Sequence, residues 1–338
     1  MTHPRTRAAI YGTGQLAREL LRACRGSGIP VVAAISHNPA NRGRDFGVLA
    51  GAEPIGVSID NDLATAAGRG RIDVLLYAGL GGDVMLEVCR ACVAAGIDFI
   101  TSSGLFHPVV HLGREAADRL DEQARQSGSH VLGTGINPGF VADILPVLLA
   151  TAAPDPVSIE VRRVSDITPW GKLALSEESN IGKPPQAGVS TVVVRHMVES
   201  VHVIAAATGL ELDSTEAESA AILADVPRSV AGIEVSRGCI LGFEHRVSGF
   251  VDGVARVVLE WIALPGDDAA AVAAARPPRI RVTGPRGLVV EGNVVLPYDP
   301  YPGTAARMVK SVIPLRHTPA GLRRADELPL AYGLQAAR

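Results

Sequence analysis

Aromatic side chains are scarce in this 338-residue chain, at 4% of the total, and cysteine is scarcer still, with four copies. So few thiols cannot staple a chain of this length, so stability must come from an apolar core, which a 47% hydrophobic composition supplies. Excess charge of either sign is missing: 32 basic residues are mixed among 35 acidic ones, for a net charge of −3. That leaves no electrostatic footprint for nucleic acid or an anionic membrane surface. No apolar run approaches the roughly 20 residues that span a bilayer. The opening Met1-Thr2-His3-Pro4-Arg5 passes at once into a strand-like segment instead of a leader-type stretch. The expected partner is a small-molecule substrate, with no nucleic acid and no membrane, and the expected compartment is the cytoplasm.

Metal chemistry is equally thin. Cys24, Cys89 and Cys92 fall on apolar helical stretches, away from Cys239. The Cys89-x-x-Cys92 spacing can hold a metal or a redox disulfide, but it lies mid-helix without a second Cys or His pair nearby, so packing thiols are expected. His196 and His202 are six residues apart, neither i+3 nor i+4 on a helix, and make no metal pair.

What is present is a phosphate-site pattern. The strand-like Ala8-Ala9-Ile10-Tyr11 runs into Gly12-Thr13-Gly14-Gln15-Leu16-Ala17 and then directly into a helix. Gly12 permits the tight turn, Gly14 lets a pyrophosphate approach the backbone, and Ala17 allows close helix–strand packing, so the amides at Thr13, Gln15 and Leu16 face an anion. Leu16, Leu20, Leu21 and Cys24 share one helical face, and Pro30 to Ile35 reads as the next buried strand. The alternative is a glycine turn in a βαβ unit that binds nothing.

Strand and helix patterns alternate from residue 7 to about 135, which specifies an α/β domain with a Rossmann-type, doubly wound parallel sheet. After Asn137-Pro138-Gly139 the grammar changes to a helix over about Val141 to Ala152, a strand Ser158 to Val164, a polar segment from 166 to 190 and a long helix Val192 to Ala207. A β meander then covers Ile233 to Val290, with Asp267 to Ala275 as a surface loop or short helix. This predicts a C-terminal α+β domain on a mixed or antiparallel sheet over 136–302. A tail helix runs from Gly303 to Ile313, ended by Pro314.

Several segments resemble the dihydrodipicolinate reductase-like superfamily and, closer in, the 2,4-diaminopentanoate dehydrogenase and native amine dehydrogenase family. They are Tyr11-Gly12-Thr13-Gly14, Gly43 to Gly51 with Pro54-Ile55-Gly56-Val57, Leu132 to Phe140, and the tail from Thr304 to Leu322. The resemblance implies an N-terminal dinucleotide domain over 1–135, a C-terminal domain that supplies the substrate pocket and much of a homodimer contact, and a tail, 303–338, returning to the first domain. One departure stands out. Where the amine dehydrogenases carry an acidic pair after the fifth strand, this chain has Ser102-Ser103-Gly104-Leu105-Phe106-His107. A carboxylate there would stabilise an ammonium or iminium, so its absence counts against reductive amination and leaves hydride transfer untouched.

The second strand ends in Ile35-Ser36-His37-Asn38, with Arg42 and Arg44 close behind, instead of the acidic residue that binds a ribose 2′-hydroxyl. Neutral donors with arginines favour NADP(H), with NAD(H) possible; otherwise the arginines are solvated loop charges. Ala78 and Gly79 end the fourth strand, where a cofactor ribose can approach. Thr101 and Ser102 follow the fifth and can donate to a carboxamide. Asn137, held out of the helical region by Pro138, is the candidate to face the nicotinamide or substrate, or else a turn former. For catalysis the candidates are His107 for proton transfer, Ser103 as a donor to a carbonyl, and Lys172 and Asp166 from the second domain, the last two also readable as a solvated lysine and an arginine partner. The expected function is an NAD(P)H-dependent oxidoreductase acting on the C=N or C=O carbon of a small substrate. The alternatives are a ketone or alcohol oxidoreductase without amination, and a catalytically silent dinucleotide-binding regulatory protein.

Overall fold

The computed structural model describes residues 6–155, 158–172, 174–189, 191–296 and 300–329. The chain divides into two units, Met1–Phe140 with Tyr298–Arg338, and Val141–Pro297. Residues 330–338 of the expected tail lie outside the described residues.

Unit 1 contains, in chain order, β1 (Ala8–Tyr11), α1 (Gln15–Gly26), β2 (Val31–Ile35), α2 (Phe46–Leu49), β3 (Ile59–Asp60), α3 (Leu63–Arg69), β4 (Val74–Tyr77), α4 (Asp83–Ala94), β5 (Asp98–Thr101), α5 (Pro108–Leu112), α6 (Arg114–Ser127) and β6 (His130–Gly133). Four- and five-residue strands of Val, Ile, Leu and Ala form these buried runs because a parallel sheet is covered on both faces. On α1, Ala17, Leu20, Leu21 and Cys24 are buried at helical spacing. Gly96 and Gly128 take left-handed φ just beyond α4 and α6. Asp45 caps α2, accepting from the amides of Val48, Ile55 and Gly56, so the Gly43 to Gly56 segment closes around one carboxylate. Cys89 and Cys92 lie on the buried face of α4, where burial pushes Cys89 up to about 12 and Cys92 well above the ordinary thiol value.

Unit 2 contains α7 (Ile144–Ala150), β7 (Ser158–Asp166), α8 (Thr191–Thr208), β8 (Ser214–Leu223), β9 (Arg228–Val230), β10 (Ile233–Val235), β11 (Ile240–Val251), β12 (Val254–Leu264), α9 (Gly266–Ala275), β13 (Arg279–Gly284) and β14 (Gly287–Asn293). Its six-stranded sheet has the order β14-β13-β7-β12-β11-β8, with β7 parallel to β12 and the other pairs antiparallel. Ile159, Val161, Leu259, Val247, Phe243 and Val282 lie in its apolar core, while Arg162, Glu260 and Glu244 at the alternate positions join Arg276, which follows α9, in one ion-pair ladder.

The chain then re-enters unit 1 as α10 (Tyr301–Leu315) and β15 (Gly321–Arg323). β15 adds to β6 in parallel, so the sheet order is β15-β6-β5-β4-β1-β2-β3. Strand order reverses at β1 and β4, the point where open α/β sheets bind ligands.

Several expectations are corrected. Pro314 does not end the tail helix: it lies inside α10, one residue before the end. Of the two readings of the Ala-rich stretch, surface loop or short helix, the helix holds, as α9. The helix after the boundary begins at Ile144, capped by Asp143, instead of Val141. The strand β8 leaves no mark in the sequence, because Ser214 to Leu223 is mostly exposed on the sheet edge and lacks a buried apolar alternation. Unit 1 runs to Phe140 instead of ending at 135. The reason is local: the amide of Ile136 donates to Thr304 Oγ1 at 3.3 Å, and Arg307 lies over the Phe140 ring.

Candidate functional site

The glycine turn after β1 is built as the motif predicts. Gly12 has φ +110°, and a Cβ there would sit 2.7 Å from the carbonyl oxygen of Ala78 at the end of β4. Only glycine brings the two strand ends this close. Gly14 has an ordinary φ of −78°, and a Cβ added to it would meet nothing within 4 Å. It stands at the N-cap of α1 without a side-chain cap, and the first turn holds no acidic residue. Gly14 and Gln15 are exposed and Leu16 half-buried, so the first amides of α1 face open space at the positive end of the helix dipole.

Beside this turn, the residues ending β4, β5 and β6 lock together. Tyr11, Tyr77 and Phe99 pack across three adjacent strands, the two tyrosine rings stacked with centroids 4.8 Å apart and Phe99 tilted against Tyr77 at 5.6 Å. The Tyr77 hydroxyl donates to the carbonyl of Leu80 at 2.8 Å, and a Cβ on Gly79 would strike that hydroxyl. Ser103 Oγ donates to the carbonyl of Gly79 at 2.7 Å, while the amide of Ser103 donates to Thr101 Oγ1. Thr101 is fully buried, its hydroxyl 3.5 Å from Met85 Sδ. The β6 loop folds tightly on itself: Asn137–Pro138 is cis, Thr134 Oγ1 donates to the carbonyl of Gly139, and Gly135 lies against Thr304 and Ser102. Asn137 is half-buried in this turn.

Gly12, Thr13, Gly14, Gln15, Leu16, Ser36, His37, Arg42, Ala78, Gly79, Thr101, Ser102, Ser103, His107 and Asn137 therefore all lie at the carboxyl end of one sheet, in its loops, at the close of β5 or in the first turn of α1. Several have duties the motif reading did not foresee. Ser36 is 2% exposed, and its oxygen accepts from Asn38 N and Asn41 Nδ2, so it supports the β2 loop from within. Ser103 cannot serve as a free donor, because its hydroxyl hydrogen already lies on Gly79. Nδ1 of His107 accepts from the Val110 amide at 3.3 Å and caps α5. A ring nitrogen accepting from an amide carries no proton, so a doubly protonated His107 would break this cap. His37 and Arg42 are exposed. Arg42 also helps hold the Asp62 carboxyl below its usual range, after the larger effect of hydrogen bonds from Thr65.

Asp166 and Lys172 belong to unit 2. Asp166 Oδ1 accepts from the amides of Thr168 and Gly266, both at 2.8 Å. Burial raises its pKa, but the Thr168 and Gly266 hydrogen bonds outweigh that and leave it lowered. It is the organiser of the turn after β7. Lys172 is exposed in the segment that follows.

Three residues escaped the sequence reading. Asn41 joins the glycine turn to β2 through Thr13 Oγ1 and Ser36 Oγ; no periodicity marks such an amide. Thr304 reaches the β6 loop from α10, although its segment was already noted as a family match. His111, four residues after His107, packs its ring over the Cα of Gly104; the i, i+4 spacing in a short helix was the available signal.

A seven-stranded parallel sheet with this glycine turn, joined in one chain to a six-stranded mixed sheet, makes a Rossmann-type α/β unit followed by a mixed-sheet unit. Residues 140–336 match the family of the 2,4-diaminopentanoate dehydrogenase C-terminal domain, and the chain belongs to that family. It is 33% identical to 2,4-diaminopentanoate dehydrogenase of Acetoanaerobium sticklandii over 153 residues, an alignment covering 43% of each chain. It is 26% identical to an amine dehydrogenase of Streptomyces virginiae over 307 residues, 81% of this chain and 83% of that one. The structure superposes on an amine dehydrogenase from Mycobacterium smegmatis with a TM-score of 0.82 at 20% identity, covering 98% of both chains. More distant folds include a Synechocystis biliverdin reductase solved with NADP+, with a TM-score of 0.52 at 12% identity over 92% of this chain and 90% of that one. The protein is an oxidoreductase of the dehydrogenase type.

Proposed function

We propose that this protein binds a nicotinamide dinucleotide, NADP(H) in preference to NAD(H), and moves hydride to or from the C=O or C=N carbon of a small substrate. The observation that carries the reading is the uncapped amino end of α1, with open space beside Gly14 and a glycine turn that excludes any side chain from the β1–β4 approach. That arrangement fits a diphosphate, since unsatisfied amides and the helix dipole both favour an anion there. The amides from Thr13 to Leu16 would hold it. Thr13, His37 and Arg42 would face the adenosine ribose, and Gly79 with the exposed Leu80 would line the approach from β4. When bound, the dinucleotide supplies or accepts the hydride.

This chain's own residues do the positioning. The Ser103–Gly79 bond and the aromatic stack under β4 fix the loops, so a bound ring meets a preorganised surface. Asn137 and Ser102 offer hydrogen bonds to a carboxamide or a substrate oxygen. Neither the 102–107 loop nor the 134–140 loop contains a carboxylate. A neutral carbonyl needs a donor, whereas an ammonium or iminium needs an opposite charge, so this crest favours the ketone or alcohol over the amine. The relatives named amine dehydrogenases support C=N chemistry as the second reading.

Titration with NADPH should enhance or blue-shift nicotinamide fluorescence, and Gly14→Asp should abolish the response by placing a negative charge in the anion cradle. A ketone panel should then be reduced at rates unaffected by ammonium. Fluorescence that stays flat with both NADPH and NADH would refute the proposal, and ammonium-dependent turnover would favour the amine reading.

A further inference from the structure

We infer that Asn41 determines the choice between NADP(H) and NAD(H), acting as a positioning residue through the hydroxyl of Thr13. This rests on the nicotinamide-dependent reading above. Asn41 is buried at the end of the short 3-10 turn Pro39–Asn41. Its Nδ2 carries two hydrogens; one is directed to Thr13 Oγ1 at 3.3 Å and the other to Ser36 Oγ at 3.2 Å. Its Oδ1 accepts from Arg44 Nη1 at 3.4 Å, and this fixes the orientation of the amide: turned over, it would set its NH2 against a guanidinium.

The consequence lies in the direction of the Thr13 hydroxyl. Because its oxygen already accepts from within the protein, its own hydrogen is available to the half-exposed outer side, and Thr13 is presented as a donor. The short polar side chains around the end of β2 are engaged within the protein, whereas His37 and Arg42 are exposed. Ser36 is buried, Asn38 Oδ1 accepts from Ala40 N at 3.0 Å, and Asn61 Nδ2 donates to the carbonyl of Ser36 at 2.7 Å. A phosphate monoester accepts hydrogen bonds and carries negative charge, so a donor hydroxyl bonded by Asn41, whose chain neighbour is the exposed Arg42, suits a 2′-phosphate. A ribose 2′-hydroxyl is ordinarily held by an acidic acceptor at this place in the fold. Asn41→Asp would reverse both properties. The carboxylate would draw the Thr13 and Ser36 hydrogens inward, turn the Thr13 lone pairs outward, and add a negative charge.

The test is to measure dissociation constants for NADPH and NADH by fluorescence titration on the full chain, for the unaltered protein, Asn41→Asp and Thr13→Val. The unaltered protein should prefer NADPH, and Asn41→Asp should lower the NADPH-to-NADH preference by about tenfold or more, chiefly by weakening NADPH. Thr13→Val should weaken NADPH severalfold more than it weakens NADH; it decides the matter if Asn41→Asp does not fold. A role limited to supporting the loop predicts equal weakening for both nucleotides in both variants. That result, an unchanged ratio, or an unaltered protein that prefers NADH overturns the inference while leaving the nicotinamide reading standing. Failure of the unaltered protein to bind either nucleotide overturns both.

Discussion

Ser103 and Gly79 are 24 residues apart in sequence, yet the hydroxyl of one donates to the carbonyl of the other at 2.7 Å. The bond ties the turn after β5 to the turn after β4, the two loops that face the open end of the sheet. Ser103→Ala should lower stability by about 1 kcal/mol, the usual value of a partly buried neutral hydrogen bond. Nucleotide affinity should fall with it, because the Gly79 loop loses its tether. Thermal denaturation and fluorescence titration read the two effects; unchanged affinity would show that the loop is held by packing alone.

The two glycines of the first turn should respond in opposite ways. Gly12→Ala places a Cβ 2.7 Å from the Ala78 carbonyl oxygen at a φ of +110°, so it should destabilise the fold by about 2–3 kcal/mol. Gly14→Ala meets no atom within 4 Å at a φ of −78°, and its melting temperature should match that of the unaltered protein. Its nucleotide affinity should nevertheless drop, since the new methyl fills the space assigned to the diphosphate. Equal affinities would move the phosphate elsewhere.

A pH-dependent loss of stability should trace to His245. It is 1% exposed, its Nδ1 lies 2.9 Å from Ser219 Oγ, and burial pushes its imidazole down from 6.5 to about 4. The unfolded chain therefore takes up this proton first as the solution is acidified. The contribution is intact above about pH 6.5 and is lost progressively down to about pH 4, on the order of 3 kcal/mol across that window. His245→Gln should flatten the stability profile between pH 6.5 and 4 in denaturant titrations. A profile as steep as that of the unaltered protein would assign the acid sensitivity to other groups.

The tail is fastened at the far end of the parallel sheet. Arg316 Nε donates to Asp98 Oδ2 at 2.9 Å, and His130 Nδ1 lies 2.8 Å from Asp98 Oδ1. Arg316→Ala leaves a buried carboxylate with one partner fewer and should cost about 1–3 kcal/mol. Hydrogen exchange should then accelerate in Gly321–Arg323 and α10 before the central strands. Uniform exchange across unit 1 would show that the tail does not open separately.

The primary structure alone determined the strand–helix alternation of unit 1 and the place of its glycine turn. Buried strands of Val, Ile, Leu and Ala, amphipathic helices and glycine stops are local signals, and Gly12, Gly14 and Ala17 announce their purpose by spacing. It also determined that residues 102–107 carry no carboxylate, on which the proposed preference for a ketone or alcohol rests. Tertiary structure decided the rest. The exposed edge strand β8 has no apolar alternation, and its existence depends on pairing with β11. Whether the Ser36 and Ser103 hydroxyls face a ligand or a neighbouring loop depends on partners 5 and 24 residues away. Asn41 had no pattern to betray it, because a side-chain amide acquires its meaning only from the two hydroxyls that the folded chain brings within its reach.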